Sequence, residues 1–261
     1  MLYIEPKSQM GLNYEEVHFQ AKDGTHLFGW YFPARLKKKT DHPKGTIIQF
    51  HGNATNLSSH FVSLVWLAEE GYDFFTFDYR GYGRSEGKPD PEGTAQDGVA
   101  ALLRAQEFQK KRASPLLIPI GQSLGGAILM RSLQDLGETI HPELVVLEST
   151  FVSYQTIGKR ILARSWYSWP FQYLAYLLVS DQYSGMDWIQ SYKGNLIILH
   201  DQSDPIVPFA CGEDLNRFSP AKEKEFWTLN DGNHIAALGD PKGPYRKRLL
   251  DRLKSLKAAH E

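Results

Sequence analysis

The stretch IGQSLGG, Ile120–Gly126, sets one serine among three glycines and directly follows the apolar run LLIPI. A short apolar run that ends in glycine usually indicates a strand followed by a tight turn, and most such turns are only structural. The spacing G-x-S-x-G is also typical of a sharp strand-to-helix turn that presents a serine hydroxyl for attack. The rest of the sequence decides between these two interpretations.

Outward from this turn, short apolar runs alternate with helical patterns along the chain. The predicted strands are Glu16–Ala21, His26–Phe32, Gly45–Phe50, Asp73–Phe77, Leu116–Ile120, Leu144–Glu148, Asn195–His200 and Glu225–Leu229. The predicted helices are Ser58–Glu70, Thr94–Lys111, Leu124–Leu136, Val207–Phe218 and Pro244–Ala259. The turn sequence KDGT makes the first two strands an antiparallel hairpin. The later βα units predict an α/β fold, with a mostly parallel sheet and helices on both faces.

One long interval, Phe151–Gly194, separates two predicted strands far more widely than an ordinary connection does. It contains RSWYSWPFQYLAYLL, which is dense in aromatic residues, beside Lys159, Arg160 and Arg164. An insertion at the carboxyl end of a parallel strand lies where such sheets bind ligands. One interpretation is a helical pair that covers core. The other is a lid over about 151–194 that supplies an apolar substrate wall.

Composition favours a single domain spanning residues 1–261 and excludes several functional classes. The 29 Lys and Arg residues against 30 Asp and Glu residues give a net charge of −1, so no nucleic-acid partner is expected. Cys211 is the single cysteine, so an internal disulfide is impossible and no CxxC pair exists. The nine histidines are scattered and no HExxH is present. We therefore expect neither a metal nor another cofactor.

Membrane and export signals are weak in the sequence. The apolar run FQYLAYLLV is too short to span a bilayer. The N-terminal MLYIEPKSQM lacks the basic region and apolar region of a signal peptide. A cytoplasmic location is therefore expected for the chain as written, and a membrane-associated one if an N-terminal anchor was removed.

Ser123 lies between the predicted strand and the helix that begins at Leu124. A turn this sharp strains the serine backbone and aims the hydroxyl outward. Side chains at Gly121 and Gly125 would collide with the neighbouring strand and helix, and Gly126 serves the same close approach. The helix N-terminus directs N–H groups and a positive dipole end toward the serine. In this context the pattern predicts a nucleophile.

A serine hydroxyl needs a base, and His234 in NDGNHIA follows the last predicted strand. Other histidines have plainer interpretations. His200 ends a strand and is typical of a satisfied core or loop histidine. Five more lie in the N-terminal hairpin, in polar turns or in the tail: His18, His26, His42, His141 and His260.

The base in turn needs an acid that orients the imidazole and stabilises its charge. Asp204, in HDQSDPIVP, follows a predicted strand and is favoured by its spacing from His234. Two other carboxylates are alternatives. Asp201 lies closer to the strand, and Glu148 ends the preceding strand, from which it could also reach the imidazole.

An oxyanion hole needs two N–H donors. One is expected from Leu124, the residue after the serine. The second is expected from Asn53 in the loop HGNATN, where Gly52 permits close approach. The same loop also fits a helix N-cap, with Asn56 or Ser58 as the capping residue, and both interpretations can hold together.

From about Tyr14 to Lys257 the chain resembles the α/β-hydrolase family. The motifs that carry the resemblance are FHGNATN, FDYRGYGRSEGKP, GQSLGGA, LESTF, HDQSDPIVP and DGNH. More narrowly, they resemble a bacterial serine hydrolase group related to eukaryotic acyl-protein thioesterase-like (depalmitoylase-like) hydrolases. Relatives in that group often carry an N-terminal membrane or lipid anchor, and the resemblance implies a peripheral membrane association.

The resemblance also implies roles for individual residues. It implies Ser123 as nucleophile, Asp204 as acid, His234 as base, and the N–H groups of Asn53 and Leu124 as oxyanion donors. In a loop where many relatives have glycine after the histidine, this chain has Asp201, which keeps that residue as an alternative acid. Three other charged residues are expected to be structural: Asp78, Arg80 and Asp97.

Three functions follow as hypotheses. The favoured one is a serine hydrolase that cleaves a carboxylic ester or thioester of a small or lipid-like acyl substrate through an acyl-enzyme. A second is an aminopeptidase-like amide hydrolase, in which Asp181 or Asp187 of the lid would bind the free amine of the substrate. The third is a non-catalytic binding protein on a hydrolase fold, because a fold alone does not fix function.

Overall fold

The computed structural model describes residues 4–38 and 40–258, and its centre is one eight-stranded sheet. The strands are β1 Glu15–Gln20, β2 His26–Phe32, β3 Thr46–Phe50, β4 Asp73–Asp78, β5 Leu117–Gln122, β6 Val145–Glu148, β7 Leu196–Asp201 and β8 Lys224–Leu229. Their order across the sheet is β1-β2-β4-β3-β5-β6-β7-β8. β1 and β2 are antiparallel, β2 runs antiparallel to β4, and all remaining pairs are parallel. The predicted fold class is confirmed, and each strand lies within two residues of its predicted bounds.

Helices cover both faces of the sheet. They are α1 Pro6–Met10, α2 Leu57–His60, α3 Trp66–Glu69, α4 Pro91–Lys111, α5 Leu124–Leu136, α6 Tyr154–Ala163, α7 Ala175–Leu178, α8 Met186–Ser191, α9 Ala210–Phe218 and α10 Pro244–Ala258. Short 3₁₀ turns occupy Phe61–Ser63, Gly137–Thr139 and Trp169–Leu174. α5 has its predicted bounds and α10 begins where expected, whereas Ala259 lies outside the described residues. None of the helices in the described part of the chain combines the length and apolar character needed to cross a bilayer.

The single helix predicted over Ser58–Glu70 is wrong, because this segment is broken into α2, a 3₁₀ turn and α3. The carbonyl of His60 accepts hydrogen bonds from Gln49 Nε2 at 3.1 Å and Ser63 Oγ at 2.9 Å. In a continuous helix the N–H of Leu64 would donate to this carbonyl. The two side chains donate there instead, and the N–H of Leu64 donates to the carbonyl of Phe61. The apolar face of the prediction still packs inward, since Phe61 and Leu64 are fully buried.

The helix predicted from Val207 is also shorter than expected and begins at Ala210. The N–H groups of Ile206 and Val207 donate to Asp204 Oδ1 at 2.7 and 2.9 Å. The chain therefore turns around the Asp204 carboxylate before the helix starts, which could not be read from the apolar pattern alone.

The sheet carries a hydrophobic core on each face. Ile47 and Ile197 point to one face, where helices α2, α3 and α10 pack. Their neighbours Ile48 and Ile198 point to the other, where α4 and α5 pack. Strands buried on both faces read as continuous apolar runs, which is why they were recognisable in the sequence.

The interval Phe151–Gly194 is largely helical and contains α6, the turn Trp169–Leu174, α7 and α8. Its base is part of the core, since Ile157 of α6 packs in a buried cluster with Ala127 of α5 and Val207. Its outer side leaves many large apolar side chains exposed. This interval is referred to below as the lid.

Candidate active site

The turn between β5 and α5 consists of Ser123 alone, with φ 54° and ψ −125°. This conformation is rare for a residue with a side chain and stores strain. A Cβ on Gly121 would lie 2.6 Å from Gly126 Cα, and one on Gly125 would lie 2.2 Å from the carbonyl oxygen of Phe50. The strand–turn–helix predicted from G-x-S-x-G is therefore present, and the glycines are required by backbone contacts, as expected.

Hydrogen bonds fix the strained serine from two neighbouring segments. Its N–H donates to the carbonyl of Glu148 at 2.9 Å, which continues the ladder between β5 and β6. Thr150 Oγ1 donates to the Ser123 carbonyl at 2.5 Å. The same hydroxyl would lie 2.5 Å from a Cβ on Gly126, which accounts for the third glycine.

Asp204 and His234 are brought together from two loops, the first after β7 and the second after β8. Asp204 Oδ2 accepts a hydrogen bond from His234 Nδ1 at 2.8 Å, and the Asp204 side chain is fully buried. Burial alone would raise the pKa of this carboxyl, but the bond from His234 and the N–H groups of Ile206 and Val207 hold its pKa below the ordinary value. With Nδ1 on the carboxylate, Nε2 of the imidazole is left for other chemistry.

The two alternative acids make other contacts. Asp201 accepts from the N–H groups of Ser203 at 2.7 Å and Asp231 at 2.8 Å, so it ties the loops after β7 and β8 together. Those N–H groups offset its burial and lower its pKa. Glu148 accepts from the N–H of Ala237 at 3.0 Å, and burial raises its pKa. Of the three candidates, only Asp204 is hydrogen bonded to the imidazole of His234.

His200 is a core histidine, as predicted, but only one of its ring nitrogens is satisfied, since Nδ1 has no hydrogen-bond partner among the described residues. It is fully buried and its Nε2 is 3.0 Å from the carbonyl oxygen of Val207, to which it donates. Burial lowers its pKa, so the ring is neutral. Nε2 also lies 3.8 Å from Asp204 Oδ2, which places this ring directly beneath the acid.

The two predicted N–H donors lie beside Ser123. Leu124 follows it directly, and a Cβ on Gly52 would lie 3.4 Å from Ser123 Cβ, which brings the loop that carries Asn53 against the turn. Within residues 4–38 and 40–258, no acceptor pairs with the backbone N–H of Asn53 or of Leu124. Leu124 is half-buried and Asn53 is exposed, so both N–H groups can donate to a ligand in this place.

His51, which the sequence analysis did not identify, sets the direction of the backbone N–H of Asn53. Its Nδ1 is 2.7 Å from the Gly52 carbonyl oxygen, and since a carbonyl only accepts, Nδ1 carries the proton. In a planar trans peptide the C=O and the following N–H point in opposite directions. The N–H of Asn53 therefore points away from the buried His51 ring. The signal available in the sequence was the histidine directly before glycine at the end of β3.

His60 and Tyr82, which the sequence analysis also did not identify, form hydrogen bonds to the loop that carries Asn53. His60 Nε2 donates to the Ala54 carbonyl at 2.6 Å, and the Tyr82 hydroxyl donates to Asn53 Oδ1 at 2.6 Å. Burial, with a smaller contribution from nearby His51, lowers the pKa of His60 to about 4. Nothing in the sequence singled out His60, since its role depends on the fold. Asn56 caps α2 as predicted, through a bond from the N–H of Ser58 to its Oδ1 at 2.9 Å.

A cavity of about 530 Å³ joins these groups. Its walls combine the turn, the loop after β3 and the His234 loop: Gly52, Asn53, Ala54, Ser59, His60, Val62, Ser63, Ser123, Ile206, His234 and Ile235. Ser123 and His234 thus face one space together with Asn53. No carboxylate belongs to this set of described residues.

Asp78, Arg80 and Asp97 make structural contacts, as the resemblance implies. Asp78 Oδ1 accepts from the N–H of Leu57 at 2.7 Å. Arg80 Nη2 donates to Asp97 at 2.8 Å, and its Nη1 donates to Asp23 at 2.9 Å. This network ties the loop after β4 to α4 and to the β1–β2 hairpin. Among the residues that the structure describes, no three His, Cys, Asp or Glu side chains converge in a way that could hold a metal ion.

Comparison with known proteins agrees with this architecture. Residues 41–195 match the family described as serine aminopeptidase, S33. The uncharacterized protein YfhR of Escherichia coli K12 is 35% identical over 240 residues, covering 91% of this chain and 79% of that protein. The lysophosphatidylserine lipase ABHD12 of Danio rerio is 32% identical over 220 residues, covering 75% of this chain and 50% of that protein.

Solved structures with the same fold include hydrolases of esters. An esterase from Pyrococcus furiosus superimposes with a TM-score of 0.72 and 20% identity, covering 98% of this chain and 95% of that one. A soluble variant of monoglyceride lipase from Saccharomyces cerevisiae gives a TM-score of 0.66 and 19% identity, covering 98% and 96%. At such identities the likeness shows the fold. Together with the family match and the E. coli relative, it establishes that the chain is an α/β-hydrolase and belongs to the serine aminopeptidase S33 family.

Proposed function

We propose that this protein hydrolyses carboxylic esters or thioesters through an acyl-enzyme, with Ser123 as nucleophile, His234 as base and Asp204 as the orienting acid. The 2.8 Å bond between Asp204 Oδ2 and His234 Nδ1, on a cavity that the strained Ser123 shares, carries the proposal. The three groups come from the ends of β5, β7 and β8, in the chain order typical of α/β-hydrolases.

In the first half of the reaction, His234 Nε2 takes the proton of the Ser123 hydroxyl as the oxygen attacks the carbonyl carbon. The negative oxygen that develops accepts hydrogen bonds from the N–H groups of Asn53 and Leu124. Collapse of the tetrahedral intermediate breaks the bond to the alcohol or thiol, which takes the proton from His234. The acyl group remains on Ser123 as an ester.

In the second half, water gives a proton to His234 and its oxygen attacks the acyl-enzyme. The same two N–H groups hold the second oxyanion, and collapse returns the proton to Ser123 and releases the acid. The Asp204 carboxylate stabilises the imidazolium formed in each half and keeps Nδ1 protonated. Its lowered pKa means that it is ionised at neutral pH, as this role requires.

The lining of the cavity favours an ester or thioester over a peptide with a free amine. Binding that amine calls for a carboxylate, and none of the described residues around the cavity supplies one. The two acids proposed for this purpose are used elsewhere. Asp181 accepts from Ser153 Oγ at 2.6 Å, and Asp187 lies 3.4 Å from Gln134 Nε2.

Three relatives have names that support an ester substrate, since an esterase, a monoglyceride lipase and a lysophosphatidylserine lipase share the fold or the sequence pattern. The description of the family, serine aminopeptidase, favours the amide alternative instead. Val62, Ile206 and Ile235 give the cavity an apolar wall that would suit an acyl chain. The narrower relation to acyl-protein thioesterases remains a prediction, and the reaction of the same three residues with a thioester would follow the same steps.

Labelling with a fluorophosphonate probe tests the nucleophile. We expect wild type to be labelled, Ser123→Ala to be unlabelled, and Ser59→Ala, which removes another hydroxyl from the same cavity, to be labelled like wild type. Labelling that survives in Ser123→Ala would exclude the proposed mechanism.

A substrate panel tests the class of bond that is cleaved. Nitrophenyl esters of increasing acyl length, the corresponding thioesters and aminoacyl amides are compared by kcat/KM. We expect esters or thioesters to be preferred over aminoacyl amides. Preference for the amides would support the aminopeptidase alternative, and inertness toward the whole panel would support a non-catalytic binding protein.

A further inference from the structure

Exposed apolar side chains are concentrated on one part of the molecule. Fourteen large apolar side chains are exposed among the described residues, and ten of them lie between Ile161 and Leu178 in the lid. These ten are called the lid surface. Two more, Val62 and Ile206, line the cavity that contains Ser123. Four of the ten, Ile161, Phe171, Leu174 and Leu178, line one apolar groove. Exposed apolar side chains concentrated in this way mark a surface that another body covers.

We propose that the lid surface docks on a phospholipid bilayer that carries anionic headgroups, and that docking brings the Ser123 cavity to the membrane surface. The inference rests on the proposed function only in its second half, because docking itself needs no catalysis. It is argued from the residue types of the lid surface, from its charge and from its connection to the cavity.

The residue types suit the boundary between headgroups and acyl chains. Trp166 and Tyr167 are in edge-to-face contact, with ring centroids 6.2 Å apart, and Trp169 follows two residues later. Tryptophan and tyrosine prefer this boundary because their rings are apolar with a polar edge. Trp166 is 88% exposed and Leu177 is 82% exposed, values that are costly in water for side chains of this size. Insertion into a membrane would remove from water the apolar surface of these side chains that folding leaves exposed.

The charge of the same segment is one-sided. From Tyr154 to Ser180 the chain has Lys159, Arg160 and Arg164 but no Asp or Glu, in a protein whose overall net charge is −1. Arg160 is paired with Asp214, whose Oδ2 lies 2.8 Å from its Nη1, so Lys159 and Arg164 are the cations of this segment without an ion pair within the described residues. The Nζ of Lys159 lies 4.7 Å from the ring centroid of Tyr173. A cation held beside exposed aromatic rings is complementary to an anionic lipid headgroup.

The lid surface is continuous with the cavity. Arg164 donates to the carbonyls of Asp204 at 3.1 Å and Pro205 at 2.6 Å, so the lid is bonded to the loop that carries the proposed acid. Ile206, next along that loop, is exposed and lines the cavity. A lipid ester in a docked membrane would therefore meet the cavity without first crossing water.

An apolar groove within the lid adds a site for part of a lipid. It has a volume of about 390 Å³, and its lining residues include Ile161, Leu162, Phe171, Leu174 and Leu178. No polar side chain contributes to it among the described residues. An acyl chain is the ligand that such a lining suits.

Vesicle flotation tests docking directly, with Ser123→Ala as the parent so that lipid is not consumed. Vesicles of phosphatidylcholine alone are compared with vesicles of phosphatidylcholine and phosphatidylglycerol. We expect stronger binding to the mixed vesicles and a fall in binding at high salt. Combining Trp166→Ser with Leu177→Ser in this parent should lower the partition coefficient at least about tenfold on both kinds of vesicle. Leu103→Ser, an exposed apolar residue on α4, is the matched control and should leave it unchanged.

Charge is tested separately by Lys159→Gln, which should weaken binding about fivefold on the anionic vesicles and leave binding to phosphatidylcholine unchanged. Tryptophan emission should shift to shorter wavelength on vesicle binding, and the shift should shrink in Trp166→Phe with Trp169→Phe. These conservative variants guard against misfolding as the reason for lost binding.

Several outcomes would overturn the inference. They are absence of vesicle binding by the parent, equal binding by the Trp166→Ser and Leu177→Ser variant, or a concentration-dependent dimer in sedimentation that the same variant abolishes. The last would assign the lid surface to a second copy of the chain. If wild type cleaves soluble esters but does not bind vesicles, docking fails and the proposed function stands. If wild type binds vesicles but cleaves no ester, the proposed function fails and docking stands.

Discussion

At the scale of single residues, the carboxylate of Asp204, the proposed acid, makes two sets of contacts that a substitution can separate. One oxygen of its carboxylate accepts from the N–H groups of Ile206 and Val207, and the other accepts from His234. An amide in its place could still accept with one oxygen and so keep the turn. It would face His234 Nδ1 with an NH₂ group that cannot accept, which favours the wrong tautomer of the imidazole.

We therefore expect Asp204→Asn to fold like wild type and to lose about 10⁴-fold in kcat, the loss typical of this change in serine hydrolases. Asp187→Asn, on α8 and far from the cavity lining, is the control and should retain activity. Steady-state kinetics on a short-chain ester and thermal unfolding of each variant provide the measurement. If Asp201→Asn lost as much activity while Asp204→Asn kept it, the acid would be Asp201.

His51 gives a second prediction at this scale. Its Nδ1–H holds the Gly52 carbonyl and thereby aims the N–H of Asn53. In His51→Asn the side-chain NH₂ occupies the place of Nδ1 and can still donate, whereas His51→Leu has no donor. We expect kcat to fall by about 10²–10³ in the leucine variant, as when an oxyanion donor is lost, with KM little changed.

The asparagine variant should recover most of that loss, and this recovery separates positioning from a merely structural role. Equal loss in both variants, accompanied by a fall in thermal stability, would mean that the ring matters for packing alone. Kinetic constants and melting temperatures measured on the same preparations decide between the two.

At the scale of elements, the turn around Ser123 was predictable because its determinants are local. The glycines at 121 and 125 stand in the sequence beside the serine, and their backbone contacts follow from strand-to-helix geometry. The approach of Asp204 to His234 was expected only from spacing and resemblance. The break at Leu64 and the hydrogen bond from His60 to the Ala54 carbonyl arise from side-chain contacts of an irregular segment. Gln49 and Ala54 lie within eleven residues of His60, but such contacts leave no periodic pattern in the sequence.

Gly125 allows a prediction about the packing of α5 on β3. A Cβ there would lie 2.2 Å from the Phe50 carbonyl oxygen and 2.4 Å from that of His51, and both are backbone atoms that cannot rotate away. We expect Gly125→Ala to lower the free energy of unfolding by about 1–3 kcal/mol. It should also reduce activity, since the displaced backbone leads into the Asn53 loop.

Gly158 in α6 is the matched control, because a Cβ there meets its nearest atom at an ordinary 3.4 Å. Gly158→Ala should leave stability unchanged or raise it by about 1 kcal/mol through higher helix propensity. Urea unfolding of the three proteins measures both effects. Equal stability of Gly125→Ala and wild type would show that α5 can shift away from β3 without cost.

At the scale of the whole molecule, the layered architecture was readable from sequence because strands buried on both faces give continuous apolar runs, while the hairpin before them alternates. The distribution of charge could not be predicted from the overall composition. The net charge of −1 does not show that residues 154–180 carry three cations and no acid, or that the histidines differ in burial. Which histidines are neutral depends on the fold, and this decides how stability responds to pH.

Acidification should destabilise the protein through its buried neutral histidines. The pKa of His60 is lowered to about 4 against an unfolded value of about 6.5. The unfolded chain therefore binds a proton at a pH where the native ring does not. The contribution of His60 is fully present above pH 6.5 and is lost as pH falls toward 4. Burial lowers the pKa of His200 as well, so it acts with the same sign.

Between pH 7 and pH 5, His60 alone should account for up to about 2 kcal/mol of the loss in unfolding free energy, less the screening due to its partial exposure. His60→Gln can still donate to the Ala54 carbonyl but does not titrate, so its stability should fall less steeply over this interval. Urea unfolding of wild type and His60→Gln at a series of pH values gives the two slopes. A His60→Gln slope equal to that of wild type would mean that the pKa of His60 is the same in the native and unfolded states, which would contradict the effect of burial.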